Sequence, residues 1–313
     1  MNRAALALVP LLAVACGSGP DPVRSVAADP VPSSPATVSA TPSPTATGSA
    51  PPVPDLPFAA VTERRVLALA SYRTGEVTRT VATLDATAGS VDLSPDGRHV
   101  LVTLLPPGGL SYDADTRAEC PRVVEYDVAT GTRRDVAPGF SARYAPDGRV
   151  AMATCPGDGV RIVPGATYAA RTWVASVAWS PDGRAVYVQE AGDDSNAFVR
   201  LDPATDRSLA DAERVAVTFV TTMNDPVPWR DRLLHTTSIE GEPREVRVAT
   251  SYRDGMVAGS DLLLTLPAGG DPITTVHVGP GDALLVVAGD ELWRWAGAGE
   301  PVRLARAYAA VGW

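Results

Sequence analysis

The side chains able to do chemistry are few and scattered. The chain has 313 residues, three histidines and three cysteines, and all 27 of its cationic residues are arginine. Without lysine there is no Schiff-base nucleophile and no Walker-type phosphate loop. Two acidic stretches stand out. One is Asp113, Asp115 and Glu119, within the insertion 106–120; the other is the pair Asp193 and Asp194. Acidic residues at alternate positions offer the oxygens that Ca²⁺ collects, but the glycine of an EF-hand loop is missing. Both stretches are read as solvent-facing loops on a face open to ligands, with no metal. No His-x-His, His-Glu-x-x-His or Cys-x-x-Cys spacing occurs, so a metal-hydrolase reading has no support. His277 stands between Val276 and Val278 and is read as structural. No catalytic residue and no cofactor is assigned.

Cys16 is the exception, because its surroundings specify a reaction. Arg3 precedes an apolar run, 4–15, about as long as a signal-peptide core and too short to span a bilayer. The run ends at Ala13-Val14-Ala15-Cys16-Gly17, which resembles the bacterial lipobox, with Ala13 where leucine is commonest. That resemblance implies a diacylglycerol on the Cys16 sulfur and removal of residues 1–15. Each buried CH₂ of an acyl chain contributes ~0.8 kcal/mol, enough for two chains to hold a protein on a membrane. The alternative is ordinary secretion, cut near Ala15, with no lipid. Residues 16–56 then form a Pro/Ser/Thr/Ala-rich tether that cannot bury enough apolar surface to fold. A net charge of −9 argues against nucleic acid.

From 57 to 313 the chain repeats. Ser94-Pro95-Asp96-Gly97-Arg98 recurs as Ala145-Pro146-Asp147-Gly148-Arg149 and Ser180-Pro181-Asp182-Gly183-Arg184, each between apolar strands. Proline presets φ, the aspartate bonds back to the backbone, and glycine takes a positive φ, so each copy predicts a tight hairpin turn. Two apolar columns run ahead of these turns: Val91, Ala142, Val177, Val227, Val276 and Val311, then Leu93, Tyr144, Trp179, Trp229, Val278 and Trp313. Residues two apart share a strand face, so six equivalent inner strands are expected. The 220 residues from Leu93 to Trp313 make five steps of 44, the length of a four-stranded propeller blade. Second strands are expected at 99–104, 150–154, 185–188, 233–236 and 283–287, and third strands at 123–127 and 199–202. Trp313 leaves no chain to complete its blade. The fold expected is therefore all-β, a six-bladed β-propeller closed by pairing of the C-terminal strand with N-terminal strands near Val66. Five blades with ragged ends are the alternative.

The Pro-Asp-Gly turns resemble the TolB-type "PD" propeller repeat, also found in prolyl-oligopeptidase relatives. That resemblance implies a propeller that binds proteins or gates substrate. No Gly-x-Ser-x-Gly elbow of a hydrolase follows. The repeat places Cys120 and Cys155 between second and third strands of neighbouring blades, where an oxidising exterior favours a disulfide. The function expected is a lipid-anchored, extracytoplasmic scaffold that binds another envelope protein, a peptide or a glycan at its loop face. A lactonase- or lyase-like enzyme with a polar or metal site at the central channel is the alternative.

Overall fold

The turns are held by their own side chains. In the first copy the Ser94 hydroxyl donates to Asp96 Oδ1 at 2.6 Å, and the Arg98 N–H donates to the same oxygen at 3.0 Å. The His99 N–H then closes onto Ser94 Oγ at 2.9 Å. The copy at Ser180 repeats all three bonds, at 2.6, 3.1 and 2.9 Å. Gly97 and Gly183 sit at φ +70° and +69°, which only glycine adopts without strain. In the second copy Ala145 replaces serine, and the Arg149 side chain bonds Asp147 Oδ2 at 2.8 Å instead.

The computed structural model describes residues 55–109, 119–192, 195–219, 227–237, 244–253, 256–304 and 308–313. Its N-terminal strands are β1 (Pro57–Val61), β2 (Val66–Ser71) and β3 (Val77–Thr83). The first blade is β4 (Ala88–Leu93), β5 (His99–Leu104), β6 (Arg122–Asp127) and β7 (Arg133–Pro138). The second is β8 (Phe140–Tyr144), β9 (Val150–Ala153), β10 (Gly159–Val163) and β11 (Thr167–Ala169). The third is β12 (Trp173–Trp179), β13 (Val186–Ala191), β14 (Ser195–Leu201) and β15 (Glu213–Phe219). The fourth is β16 (Val227–Trp229), β17 (Arg232–Thr237), β18 (Arg244–Arg253) and β19 (Met256–Leu266). The fifth is β20 (Ile273–Val278), β21 (Leu284–Ala288), β22 (Glu291–Trp295) and β23 (Val302–Arg303). The last strand, β24 (Ala310–Gly312), joins the N-terminal three in the order β24-β1-β2-β3. Six four-stranded antiparallel sheets result, a six-bladed propeller.

The closure differs from expectation by one strand. β24 pairs with β1, in the register Ala59↔Gly312, Ala60↔Val311 and Val61↔Ala310, and β2, which begins at Val66, pairs with β1 instead. Pro-Phe-Ala-Ala-Val adjoins the proline-rich tether and carries no turn signal of its own. Its burial identifies it as a strand: Phe58, Ala59 and Ala60 are fully enclosed.

The core lies between the sheets. The first apolar column is buried at Val91, Ala142, Val177, Val276 and Val311. Trp229, Trp293 and Trp295 pack together between the fourth and fifth blades. At the seam the Trp313 ring lies 5.1 Å from Tyr72 and 6.2 Å from Phe58, joining the last residue to the first strands. Cys120 and Cys155 form the expected disulfide, Cα atoms 5.8 Å apart, tying the β5–β6 connection to the β9–β10 connection of the next blade. Among the described residues no helix is long and apolar enough to cross a membrane.

Candidate functional site in the channel

Each inner strand carries one residue between its two apolar column positions: Asp92, Arg143, Ala178, Pro228, His277 and Gly312. Two cavities open along the ring axis. The turn-side cavity, about 770 Å³, is lined by five of those six, Gly312 being the exception. The loop-side cavity is about 540 Å³. Arg143 and His277 line both, so this pair partitions the channel at its waist.

Asp92 is buried and its Oδ2 accepts the Tyr144 N–H at 2.7 Å. Burial pushes its carboxyl up to about 7, against the opposing pull of Arg143 and of that N–H. His277 looks into the protein-lined waist, and loss of solvation with the Arg143 charge beside it brings its imidazole down to about 3. Arg143 is half-buried. Its Nη1 reaches the carbonyls of Val91 and Ala142 at 3.3 Å each, and no carboxylate stands within ion-pairing distance among the described residues. Near neutral pH the waist thus holds a fixed guanidinium, an uncharged imidazole and a carboxyl close to its midpoint. Neighbouring Tyr144 donates its hydroxyl to Glu125 Oε2 at 2.8 Å, and Glu125 is held by both nitrogens of a fork from Arg134. Burial first, and then that carboxylate, drives the Tyr144 hydroxyl far up, so it stays a donor.

A bulge in β8 aims Arg143. Phe140 pairs with Ala153 and Arg143 with Ala151, so the ladder slips between them. Ser141, in the slip, takes φ +50°, rare for a non-glycine residue.

The two mouths differ in lining. On the turn side every blade contributes a projecting residue: Pro57, Pro95, Pro146, Pro181, Arg230 and Pro280, all exposed. Trp179 and Trp313 form the wall below them. On the loop side the lining is richer in hydroxyls, Ser90, Ser141, Ser176 and Thr275, with exposed Glu63 and Asp290 at the rim.

The residues singled out in the sequence are dispersed. Pro95, Asp96, Pro146 and Pro181 border the turn-side mouth. The Ser94 hydroxyl, and then the Arg98 N–H, hold the Asp96 carboxyl below its usual range, and Ser180 and Arg184 do the same for Asp182. Glu119 is exposed ahead of β6. Asp113, Asp115, Asp193, Asp194 and Cys16 lie outside the described residues. Among the described residues no three of His, Cys, Asp and Glu converge as a metal site would require. Asp92 and Arg143 were not among the residues singled out. Their signal was available: a charge between two core positions of a strand whose neighbours are all apolar.

A six-bladed propeller with an open, polar-waisted channel is the class these features define. No family model and no curated protein matches the chain. Solved structures do. TolB from Acinetobacter baumannii is 13% identical with a TM-score of 0.53, over 82% of this chain and 64% of that one. A protein assigned as TolB from Agrobacterium tumefaciens is 15% identical with a TM-score of 0.53, over 81% and 92%. A chain of a mitotic checkpoint complex is 16% identical with a TM-score of 0.50, over 87% and 98%. The chain therefore spans less than two thirds of the Acinetobacter protein's length. Identities this low establish a shared fold, and fold alone does not fix function.

Proposed function

We propose that this chain is an extracytoplasmic lipoprotein, anchored through Cys16, whose propeller is a binding scaffold for another envelope protein. The partner docks at the turn-side mouth. One observation carries this reading: a cavity of about 770 Å³ ringed by exposed prolines from five blades and Arg230 from the sixth. Prolines carry no N–H and little conformational freedom, so a ring of them offers apolar contact at low entropic cost. The turns beneath are locked by the Ser94–Asp96 and Ser180–Asp182 bonds, so the surface is preorganised. The sequence points to the loop face; the larger of the two cavities, and the one with the proline ring, lies on the opposite side. Resemblance to the TolB-type repeat and the TolB folds supports protein binding as the use of such a mouth.

The test is crosslinking and pull-down from native membranes. Wild-type protein fractionates with membranes and captures a defined envelope protein. Cys16→Ala moves the chain to the soluble fraction. Pro95→Arg, a change at an exposed rim position, abolishes capture while far-UV circular dichroism stays that of the folded wild type. Absence of any partner, together with turnover of a lactone or glycan, would overturn this reading for the enzyme alternative.

A further inference from the structure

The loop-side cavity has a feature the partner reading does not use. Arg143 projects into it with Nη1 engaged only at 3.3 Å, by two carbonyls, and with no ion-pair partner among the described residues. A guanidinium presents five donors in a planar fork, and Arg143 leaves most of its own open to the cavity, where a ligand acceptor can replace water. The acceptors near it do not serve. Asp92 is committed to the Tyr144 N–H, and at its raised pKa it carries only part of a charge at neutral pH. His277 is uncharged there.

In the wall around Arg143, Ser90 and Ser176 spend their hydroxyl protons on Thr103 Oγ1 and Gln189 Oε1, and Ser141 keeps its own. Ser141 Oγ accepts the Val177 N–H at 3.2 Å, which leaves its own proton free to point into the cavity. Ser141 is also held at φ +50° by the β8 bulge, and strained backbone of this kind persists at ligand sites because surrounding structure enforces it. Phe140, stacked on Trp173 with ring centroids 5.5 Å apart, gives the cavity one apolar wall. At the rim Glu63 and Asp290 are both negative, and both oppose an incoming anion. One half-buried cation behind two exposed carboxylates selects against a dianion such as phosphate. It tolerates a single negative charge delivered deep, where the rim charges are screened by water and Arg143 is not.

We propose that the loop-side chamber binds a monocarboxylate, its two oxygens on the Arg143 fork with Ser141 donating to one of them. The ligand's remaining body lies along Phe140 and the serine wall. A peptide C-terminus and a sugar acid share that chemistry. The site stands on different residues from the partner-docking rim, although Arg143 and His277 face both cavities.

Calorimetric titration of the full chain tests this with paired probes: N-acetyl-alanyl-alanine against its C-terminal amide, and galacturonate against galactose. At least one acid is expected to bind about ten-fold or more tighter than its neutral counterpart, the size of one charge-assisted fork. Whichever pair discriminates identifies the source of the carboxylate. Arg143→Gln abolishes the discrimination. Ser141→Gly, which suits the positive φ and removes the hydroxymethyl arm together with the acceptor of the Val177 N–H, weakens the acid several-fold relative to its neutral counterpart. Inorganic phosphate binds more weakly than the preferred acid. Acid and neutral probes within two-fold of each other, no binding by either acid, or full discrimination retained in both variants would each overturn the proposal. If Arg143→Gln fails to fold, the wild-type probe pairs and Ser141→Gly still decide it. Pro95→Arg keeps carboxylate binding, so loss of the envelope partner and loss of this site are separate results.

Discussion

Asp92 and His277 sit on different blades, face the same arginine, and titrate in opposite senses. Native Asp92 holds its proton up to about 7, whereas an unfolded aspartate releases it near 3.8. Between those values the native state binds more protons, so this group makes stability fall as pH rises. Native His277 stays neutral down to about 3, against 6.5 unfolded. Between those values the native state binds fewer protons, so stability rises with pH. The two slopes oppose one another from roughly pH 4 to 6.5. Asp92→Asn keeps an acceptor for the Tyr144 N–H and unmasks the histidine, so stability rises across that window more steeply than in wild type. His277→Asn unmasks the aspartate, and stability falls toward pH 7. Each pKa unit is worth about 1.4 kcal/mol, so departures of order 1–3 kcal/mol from the wild-type profile are expected. Urea midpoints from pH 4 to 8 measure them; profiles parallel to wild type in both variants would show that the waist does not titrate this way. Ser180 is buried and its hydroxyl links Asp182 to the Ala185 N–H. Ser180→Ala should cost about 1 kcal/mol, read as a lower melting temperature. The second turn copy limits the loss, since it folds with Ala145 in that place.

At the scale of elements, neighbouring blades are held by buried apolar columns and, at one point, by a covalent bond. Cys120 and Cys155 lie 35 residues apart. Closing a loop of that length removes denatured-state entropy worth about 3–4 kcal/mol. The Cys120→Ser, Cys155→Ser double variant should lose stability of that order in chemical denaturation, with far-UV circular dichroism unchanged. Retained stability would show that the loop after β5 is anchored by other contacts. Much at this scale was readable in advance. The second strand at 99–104 matches β5, because it follows a turn with a definite chemistry, and 233–236 falls within β17. β1 was not readable as a strand. Its five residues become a strand only when β24 and β2 flank them, and nothing local to Pro57–Val61 records those neighbours.

For the whole molecule, ring closure is the decisive event. A propeller left open would expose edges on both β24 and β1. The fit at the seam is close: a Cβ on Gly312 would stand 2.0 Å from the Val91 carbonyl oxygen, backbone that cannot swing aside. Gly312→Ala should therefore destabilise by about 1–3 kcal/mol or more, as overpacking does. Thermal unfolding measures the loss, and a melting temperature equal to wild type would mean the inner strands are not in that contact.

The turns, the repeat length, the six inner strands and the disulfide pairing follow from the order of amino acids alone, since each rests on local chemistry or on a fixed spacing along the chain. That Asp92, Arg143 and His277 come together is a property of the folded ring. They come from three different blades, and it is the circle, drawing six inner strands around one axis, that turns three isolated side chains into a shared electrostatic environment.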